Sequence, residues 1–472
     1  MPSRQDQLHS HQFTVQRVVA ALVARETDPE QSPFRRVAGA TLAGALLAVL
    51  GLAGAVAYSV LTGGTAANWR DTGAVIIEKE SGARYVYLDG RLHPVLNYTS
   101  ALLIVGTAQA RTVWVPRATL AGAPRGVPLG IPGAPDSLPA RERLLGQAWT
   151  VCSRPARDPA GVARPESLLL VGGGVTGGRP LGDPQALLVA VPQGEEYLLW
   201  NAHRYRVREP QVVLTALGGV GRLPVPVAAA LVNVVPAGVD LDRIEIANRG
   251  RPSTAVRGAR VGQVFVVTSL GGERQYVVAR ADALAPVTEL EAGLILADPQ
   301  TASATGTTEA TPLSAAEYSA APKAVAGPAA GGAGTGGGGT AALPATTPKL
   351  ATADTVCAAV PDAGGPSELR VDAELPVPDD ATAGSRGGGA VDRVVVPPGR
   401  GALVEALASS GAPAGAFSVV TDLGVRFPVA AVEVFAMLGY SGTPPVRMPA
   451  ELVALLPVGR VLDPVAARMP VP

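Results

Sequence analysis

Residues Val37–Leu61 read VAGATLAGALLAVLGLAGAVAYSVL, a run of 25 residues without a charge or a strong polar group. At about 1.5 Å rise per residue, a helix of this length covers the ~30 Å hydrocarbon core of a bilayer. A cleaved signal peptide has a shorter apolar stretch of about 7–15 residues, although Ala55-Val56-Ala57 imitates a cleavage motif. The run therefore predicts one transmembrane helix over residues 37–62. It separates a short tail, 1–36, from a large remainder, 63–472.

Arg35 and Arg36 abut the N-terminal end of the run, with Arg25 nearby. The far flank carries Arg70 beside Asp71, then Glu78, Lys79 and Glu80. Basic residues favour the cytoplasmic side, so the tail is expected inside and the remainder outside. The two cysteines of the chain, Cys152 and Cys357, both fall on that outer side. An oxidising compartment lets such a pair form a disulfide, and two separate buried thiols are the alternative.

Within the tail, Leu8, Val15, Val18, Val19, Leu22 and Val23 recur at helical spacing and build one apolar stripe. Ser3-Arg4-Gln5-Asp6 offers a weakened capping box, and Thr27-Asp28-Pro29 a stop. Ser32-Pro33 supplies an N-cap and a first-position proline for the membrane helix. An interfacial membrane helix would show Lys and Arg on its polar face. Here that face carries Gln5, Asp6, Gln12, Gln16 and Arg17, which favours docking on a partner protein.

Gln12-Phe13, Val15–Leu22 (VQRVVAAL), Arg25–Pro29 (RETDP) and Ser32–Arg36 (SPFRR) form a long ungapped signature ahead of the apolar run. That signature resembles the N-terminus of the EccB family, core membrane components of bacterial type VII (ESX) secretion systems. Thr150-Val151-Cys152 and Thr355-Val356-Cys357 resemble the family's paired cysteines, so the resemblance implies a Cys152–Cys357 disulfide. Closing a loop of roughly 200 residues would contribute on the order of 5 kcal/mol by chain entropy.

Four segments of the outer part share a pattern. Tyr85–Gly90 leads to His93-Pro94-Val95 and Gly106, and Tyr197–Asn201 leads to Val207 and Gly218. Gln275–Val278 leads to Ala285-Pro286-Val287 and Asp298, and Ser418–Asp422 to Phe427-Pro428-Val429 and Tyr440. Each reads as a strand, a turn, a second element and an apolar helix, with helices expected at Val95–Val105 and Ala430–Leu438. Gln211–Leu217 (QVVLTAL), Gly262–Ser269 (GQVFVVTS) and Arg393–Val396 read as strands of a core between the copies. The resemblance likewise implies a central β core bearing four repeats. The fold class expected is a membrane-anchored α+β chain with a cytosolic amphipathic helix, one transmembrane helix and an extracytoplasmic domain. That domain carries modules near 85–106, 196–218, 275–298 and 418–440.

Residues 301–350 are dense in Ala, Thr, Gly, Ser and Pro and read as a low-complexity linker, as does the shorter Gly384–Gly389. Beyond Tyr440, the prolines argue against regular structure and leave open whether the stretch hangs free or wraps back.

No residues for chemistry stand out. A phosphate loop requires G-x-x-x-x-G-K-[ST], and no Gly-Lys-Ser/Thr triplet occurs in the chain. Gly172–Arg179 (GGGVTGGR) is the nearest imitation, with Arg in place of Lys and Pro180 in place of the hydroxyl. His93 and His203 sit near comparable turns, and the acid pairs Glu195-Glu196 and Asp379-Asp380 mark solvated surface. No cofactor and no metal are expected. The formal net charge of +0 gives no electrostatic case for nucleic acid.

The expected work is assembly. Ala40, Gly44, Ala48, Gly51 and Ala55 place small residues along the membrane helix, suiting close helix packing in the lipid bilayer. Val15, Val18, Val19, Leu22 and Val23 would dock inside. By resemblance, the partners are an FtsK/SpoIIIE-type ATPase (EccC), EccD, EccE, a mycosin-type protease and further copies of the outer domain. The rival readings are a wall-facing enzyme or receptor on a single-pass anchor, or an ATPase, as some family members are labelled.

Overall fold

Pro33 starts the apolar run as a helix, its fixed φ suiting a first position whose N–H has no intrahelical partner. The computed structural model describes residues 4–24, 33–62, 69–146, 148–158, 160–324, 342–376, 382–383 and 391–471. Helix α1 spans Arg4–Ala24 and α2 spans Pro33–Thr62. Among the described residues, α2 is the one helix long and apolar enough to cross a membrane, over Ala38–Val56. The capping serines Ser3 and Ser32 and the stop at Thr27–Pro29 lie outside the described residues. The chain forms two compact units, 1–71 and 72–472.

The second unit holds four lobes and a central sheet. In the first lobe β1 (Ala74–Glu78), β2 (Arg84–Leu88) and β3 (Arg91–Pro94) run antiparallel in turn. After α3 (Tyr98–Val105), β4 (Arg111–Val115) returns parallel to β1, so the strand order is β3-β2-β1-β4, and α4 (Arg117–Leu120) follows. Asp89 and Gly90, at φ 49° and 73°, make the two-residue turn between β2 and β3 that a right-twisted hairpin requires. Asn97 caps α3 by accepting from Ser100 N, and Gly106 ends it at φ 70°.

The chain then enters the central sheet through β5 (Trp149–Arg157), β6 (Ala163–Leu170) and β7 (Thr176–Leu181). The second lobe repeats the order of the first with β8 (Gln185–Ala190), β9 (Glu196–Trp200), β10 (His203–Arg206), α5 (Pro210–Ala216) and β11 (Val225–Pro226). Helix α6 (Ala229–Val234) links onward. In the third lobe β12 (Val264–Thr268), β13 (Arg274–Ala279) and β14 (Leu284–Val287) precede α7 (Glu289–Ala297) and α8 (Pro299–Thr305). There β15 (Thr311–Pro312) is the parallel return strand, followed by α9 (Ala315–Ala320). A short β16 (Lys349–Ala351) adds to β8.

Strands β17 (Val356–Val360), β18 (Glu368–Glu374), β19 (Thr382–Ala383) and β20 (Arg393–Val395) complete the central sheet, ordered β19-β20-β6-β5-β17-β18-β7. The fourth lobe has β21 (Ala402–Leu407), β22 (Ala416–Val420), β23 (Arg426–Pro428), α10 (Val434–Met437) and β24 (Val446–Pro449), again in one order. Helices α11 (Ala450–Ala454) and α12 (Pro464–Ala467) close the chain.

Burial pairs the lobes. Val75, Leu103 and Ile104 of the first share a core with Leu403, Phe427 and Phe435 of the fourth. Leu198 and Val213 of the second share one with Val264, Leu290 and Leu294 of the third. The central core gathers Trp149, Val151, Leu169, Ala358 and Leu369.

Several expectations are corrected. Gln211–Leu217, read as a core strand, is α5: Pro210 occupies its N-terminus, and Val212, Val213 and Leu217 are buried at helical spacing. Gly262–Ser269 does hold a strand, β12, but it opens the third lobe instead of joining the central sheet. Arg393–Val396 lies in the central sheet as β20, parallel to β6. The helix expected from Val95 begins only at Tyr98, because Val95 N and Leu96 N bond to Arg84 O and Leu129 O and hold the chain extended. Its counterpart expected over Ala430–Leu438 shortens to Val434–Met437. The 301–350 linker is structured up to 324. Ser314 and Glu317 form a capping box on α9, and β15 pairs with β12. Residues 325–341 and 384–390 lie outside the described residues. The stretch after Tyr440, expected to lack regular structure, holds β24, α11 and α12, with prolines at strand and helix ends, and it wraps back: Val471 N donates to Pro128 O at 3.0 Å, and Arg468 donates to Ile104 O at 3.0 Å.

Candidate assembly elements

On α1 the predicted stripe is open to solvent, with Val15 46%, Val18 54% and Leu22 77% exposed. Val19 is half-buried, and Val23 lies in the last turn of the helix. Burying such side chains on a partner is favourable by about 1.5–3 kcal/mol each, so an exposed run of them is a surface that association would stabilise. Phe13, 62% exposed, lies off this stripe with the Arg17 guanidinium 6.0 Å from its ring centre.

On α2, Ala40, Gly44, Ala48, Gly51 and Ala55 are all exposed. A Cβ added at Gly44 or Gly51 would meet nothing within 4 Å, so the stripe is open to a neighbouring helix. Thr41 satisfies its hydroxyl by donating to Ala38 O at 3.0 Å within the helix.

In the second unit Cys152 and Cys357 form a disulfide. They sit directly opposite each other on β5 and β17, buried beside Leu168 and Ala373. The bridge thus staples the middle of the central sheet across 205 residues of sequence. Close by, burial pushes the Glu166 carboxyl up, but Arg154 at 2.7 Å and Arg393 at 2.9 Å outweigh it and hold it below the ordinary carboxylate range. Asp392 is lowered in the same way. Burial opposes ionisation there, while Ser167 donates its N–H at 2.8 Å and its hydroxyl at 2.7 Å, and Arg164 sits at 2.8 Å. These groups lock strands together, each carboxylate being engaged by arginines or by Ser167.

The glycine-rich imitation of a phosphate loop is a turn running into β7, not a strand-to-helix loop. Gly178 is there for space, since a Cβ would lie 2.5 Å from Val371 O on the adjacent β18. Glu195 pairs with Arg206 and accepts the Tyr197 hydroxyl at 2.8 Å. Asp379-Asp380 lie outside the described residues.

His93 and His203 are not equivalent, and the correction exposes a motif that pattern reading missed. After each lobe the chain returns beside the third strand as Pro124-Arg125-Gly126, Pro236-Ala237-Gly238, Pro322-Lys323-Ala324 and Pro457-Val458-Gly459. The backbone bonds repeat: Leu92 N, Arg204 N, Leu284 N and Arg426 N donate to the carbonyls of Pro124, Pro236, Pro322 and Pro457. Gly126, Gly238 and Gly459 each lie under a ring, of His93, Tyr205 and Phe427, where a Cβ would come within 2.2, 2.4 and 2.3 Å. In the third lobe the ring position is Ala285, and the glycine is Ala324. The counterpart of His93 is therefore Tyr205, two residues beyond His203. The signal was present in the sequence as Pro-x-Gly-x-x-Leu at Pro124–Leu129, Pro236–Leu241 and Pro457–Leu462.

The family described as type VII secretion system ESX-1, transport TM domain B, matches residues 1–471. A Mycolicibacterium smegmatis relative named ESX-3 secretion system ATPase EccB3 is 30% identical over 482 aligned residues, covering 97% of this chain and 88% of its own. The Mycobacterium tuberculosis H37Rv relative named ESX-2 secretion system ATPase EccB2 is 35% identical over 227 residues, 47% of this chain and 45% of its own. Among solved structures, that described as an EccB3 dimer from the ESX-3 core complex is 27% identical with a TM-score of 0.65. It covers 84% of this chain and 100% of that one. A chain from an intact ESX-5 inner membrane complex shares the fold at a TM-score of 0.67 and 24% identity, covering 100% of this chain and 96% of that one. With a family match from end to end and a relative aligned over nearly all of it, this chain belongs to the EccB family of type VII secretion systems.

Proposed function

We propose that the chain is a structural subunit of a type VII secretion membrane complex, anchored by α2 with α1 inside and the four-lobed unit outside. The observation that carries the reading is the exposed apolar stripe of α1, joined in sequence to an apolar helix and to a disulfide-stapled body. The four lobes are copies of one strand-strand-strand-helix-strand module, supported by their common order and by the repeated Pro-x-Gly return. The stripe docks on cytoplasmic components of the complex, EccC, EccD or EccE, and the small residues of α2 pack against their membrane helices. The outer units associate with each other, as the dimer description of the ESX-3 relative suggests, and present a face to a mycosin-type protease.

The relatives' names carry the word ATPase. Nucleotide hydrolysis is assigned to the motor partner instead, because this chain has no Gly-Lys-Ser/Thr triplet and its nearest imitation is built into a sheet edge. The test is native-gel and mass-spectrometric analysis of the tagged chain in mild detergent. Co-migration with a motor ATPase, lost on Val18→Asp, supports the reading. A chain that remains alone, or a complex indifferent to Val18→Asp, overturns it.

A further inference from the structure

The fourth lobe carries a strand edge that the first lobe shows how to fill. In the first lobe the return segment Arg125–Leu129 lies parallel to β3 on one side. Its other side is taken by this chain's own C-terminus: Leu129 bridges Pro470 antiparallel, and Val471 N donates to Pro128 O at 3.0 Å. The fourth lobe builds the same edge in the same register. Arg426 N donates to Pro457 O, Gly459 N to Arg426 O, Leu462 N to Pro428 O and Ala430 N to Leu462 O. Leu92 N, Gly126 N, Leu129 N and Leu96 N make the matching bonds in the first lobe. Leu462 thus stands where Leu129 stands, and Val461 where Pro128 stands. Among the described residues, Val461 O accepts no hydrogen bond.

Side chains distinguish this edge from the others. Sheet edges are ordinarily guarded by charge. The second lobe's edge carries Asp240, paired with Arg208 at 2.6 Å, and the third's carries Lys323. The fourth's carries one charge too, the exposed Arg460, but it stands between Val458, 59% exposed, and Val461, 50% exposed. An unbonded Val461 carbonyl on a segment that exposes Val458 and Val461 beside Arg460 is suited to strand addition, in which main-chain bonds supply affinity and flanking pockets choose side chains.

We infer that the edge Val458–Leu462 of the fourth lobe binds an extended, apolar, proline-bearing segment of a partner protein by antiparallel strand addition. The occupant's chemistry is that of Met469-Pro470-Val471 on the first lobe: an apolar residue, a proline that needs no donor partner, and an N–H for the free carbonyl. The inference rests on the assembly reading only in supplying a partner. Its failure would leave the Val18→Asp test of that reading intact.

The experiment uses the full chain in detergent, whose two cysteines are already bonded to each other, so an added thiol is unique. Val458→Cys is equilibrated under reductant with a synthetic peptide, Met-Pro-Val-Gly-Gly-Cys, whose cysteine falls opposite position 458 in the antiparallel register. Arg460→Cys with Met-Pro-Val-Cys provides a second attachment point, and Ala237→Cys of the second lobe the control. Each peptide is compared with its analogue N-methylated at valine. The expected result is that halving the mixed disulfide takes about fivefold more reductant for the parent peptide at either fourth-lobe position, with no such preference at position 237. Equal reductant requirements for parent and N-methyl peptides, or the same preference at the second lobe, would overturn the inference.

Discussion

Replacing Gly238 by alanine tests the ring-over-glycine device, because the cost has one source. The position has no positive φ that would favour glycine, so alanine brings no backbone strain. Its Cβ would lie 2.4 Å from Cε1, 2.7 Å from Cδ1 and 3.0 Å from Cζ of Tyr205, a ring 1% exposed. The ring cannot swing away freely, since its hydroxyl donates to Ala342 O at 3.3 Å and its centroid lies 6.3 Å from that of the tilted Trp200 ring. Overpacking of this kind costs about 1–3 kcal/mol. Tyr205→Ala alone, which empties a large buried site, should cost about 3–5 kcal/mol. In the double variant the added methyl enters space the ring has vacated, so Gly238→Ala should then cost close to nothing. A coupling of about 1–3 kcal/mol follows. The third lobe already displays this solution, with Ala285 and Ala324 together. Urea unfolding of the full chain in detergent, followed by tryptophan fluorescence, measures all four corners of the cycle. Gly146→Ala, whose added Cβ meets nothing within 4 Å, is the control. If Gly238→Ala costs the same with and without the ring, glycine is not there to admit it, and the equivalence drawn among the lobes fails.

Mass spectrometry of unreduced chain should yield a Cys152–Cys357 cross-linked peptide. Cys152→Ser with Cys357→Ser should lower the unfolding free energy by about 2–5 kcal/mol, the usual range for a native bridge. Stability should also fall in acid. The carboxyls of Glu166 and Asp392 are held below their ordinary values, so their contribution is complete above about pH 5 and lost progressively as pH falls through the unfolded and then the lowered folded values. Unfolding midpoints between about pH 6 and 3 should show this, and Glu166→Gln should flatten the profile; an unchanged slope would remove Glu166 from the account. On α2, Gly44→Leu should weaken co-purification of membrane partners while leaving the Cys152–Cys357 disulfide intact, read on non-reducing gels.

Local features were legible in the sequence, and long-range ones were not. The apolar helix needed only an uninterrupted apolar run, and the hairpins of the first two lobes showed as strands bearing aromatic residues around Asp89-Gly90 and Asn201. The first strand of each lobe escaped assignment to its lobe, because its partners are fixed by pairing over tens of residues. The return strands Val225–Pro226 and Thr311–Pro312 are two residues long and carry no period at all. Val-rich QVVLTAL looked like a strand by residue type, yet Pro210 at its start and burial against α7 made it a helix, tertiary packing overriding propensity.

The same distinction separates the apolar stripe of α1 from the charged groups of the second unit. An apolar stripe is informative in sequence because it lacks a core of its own, and α1 keeps Val15, Val18 and Leu22 exposed in the single chain. Charged groups on the central sheet are informative only once their partners are known. Glu166, Asp392, Arg154 and Arg393, scattered over more than 200 residues, prove to be engaged with one another or with Ser167 and Arg164 across β5, β6 and β20. A group that spends its hydrogen-bonding capacity on neighbouring strands is not poised to bind or activate a substrate. Among the surfaces that the described residues leave uncovered are valines and leucines on α1, and exposed valines beside the Val461 carbonyl on the fourth lobe. Such surfaces release free energy by being covered, and for a chain with this inventory covering them is the work its physics supports.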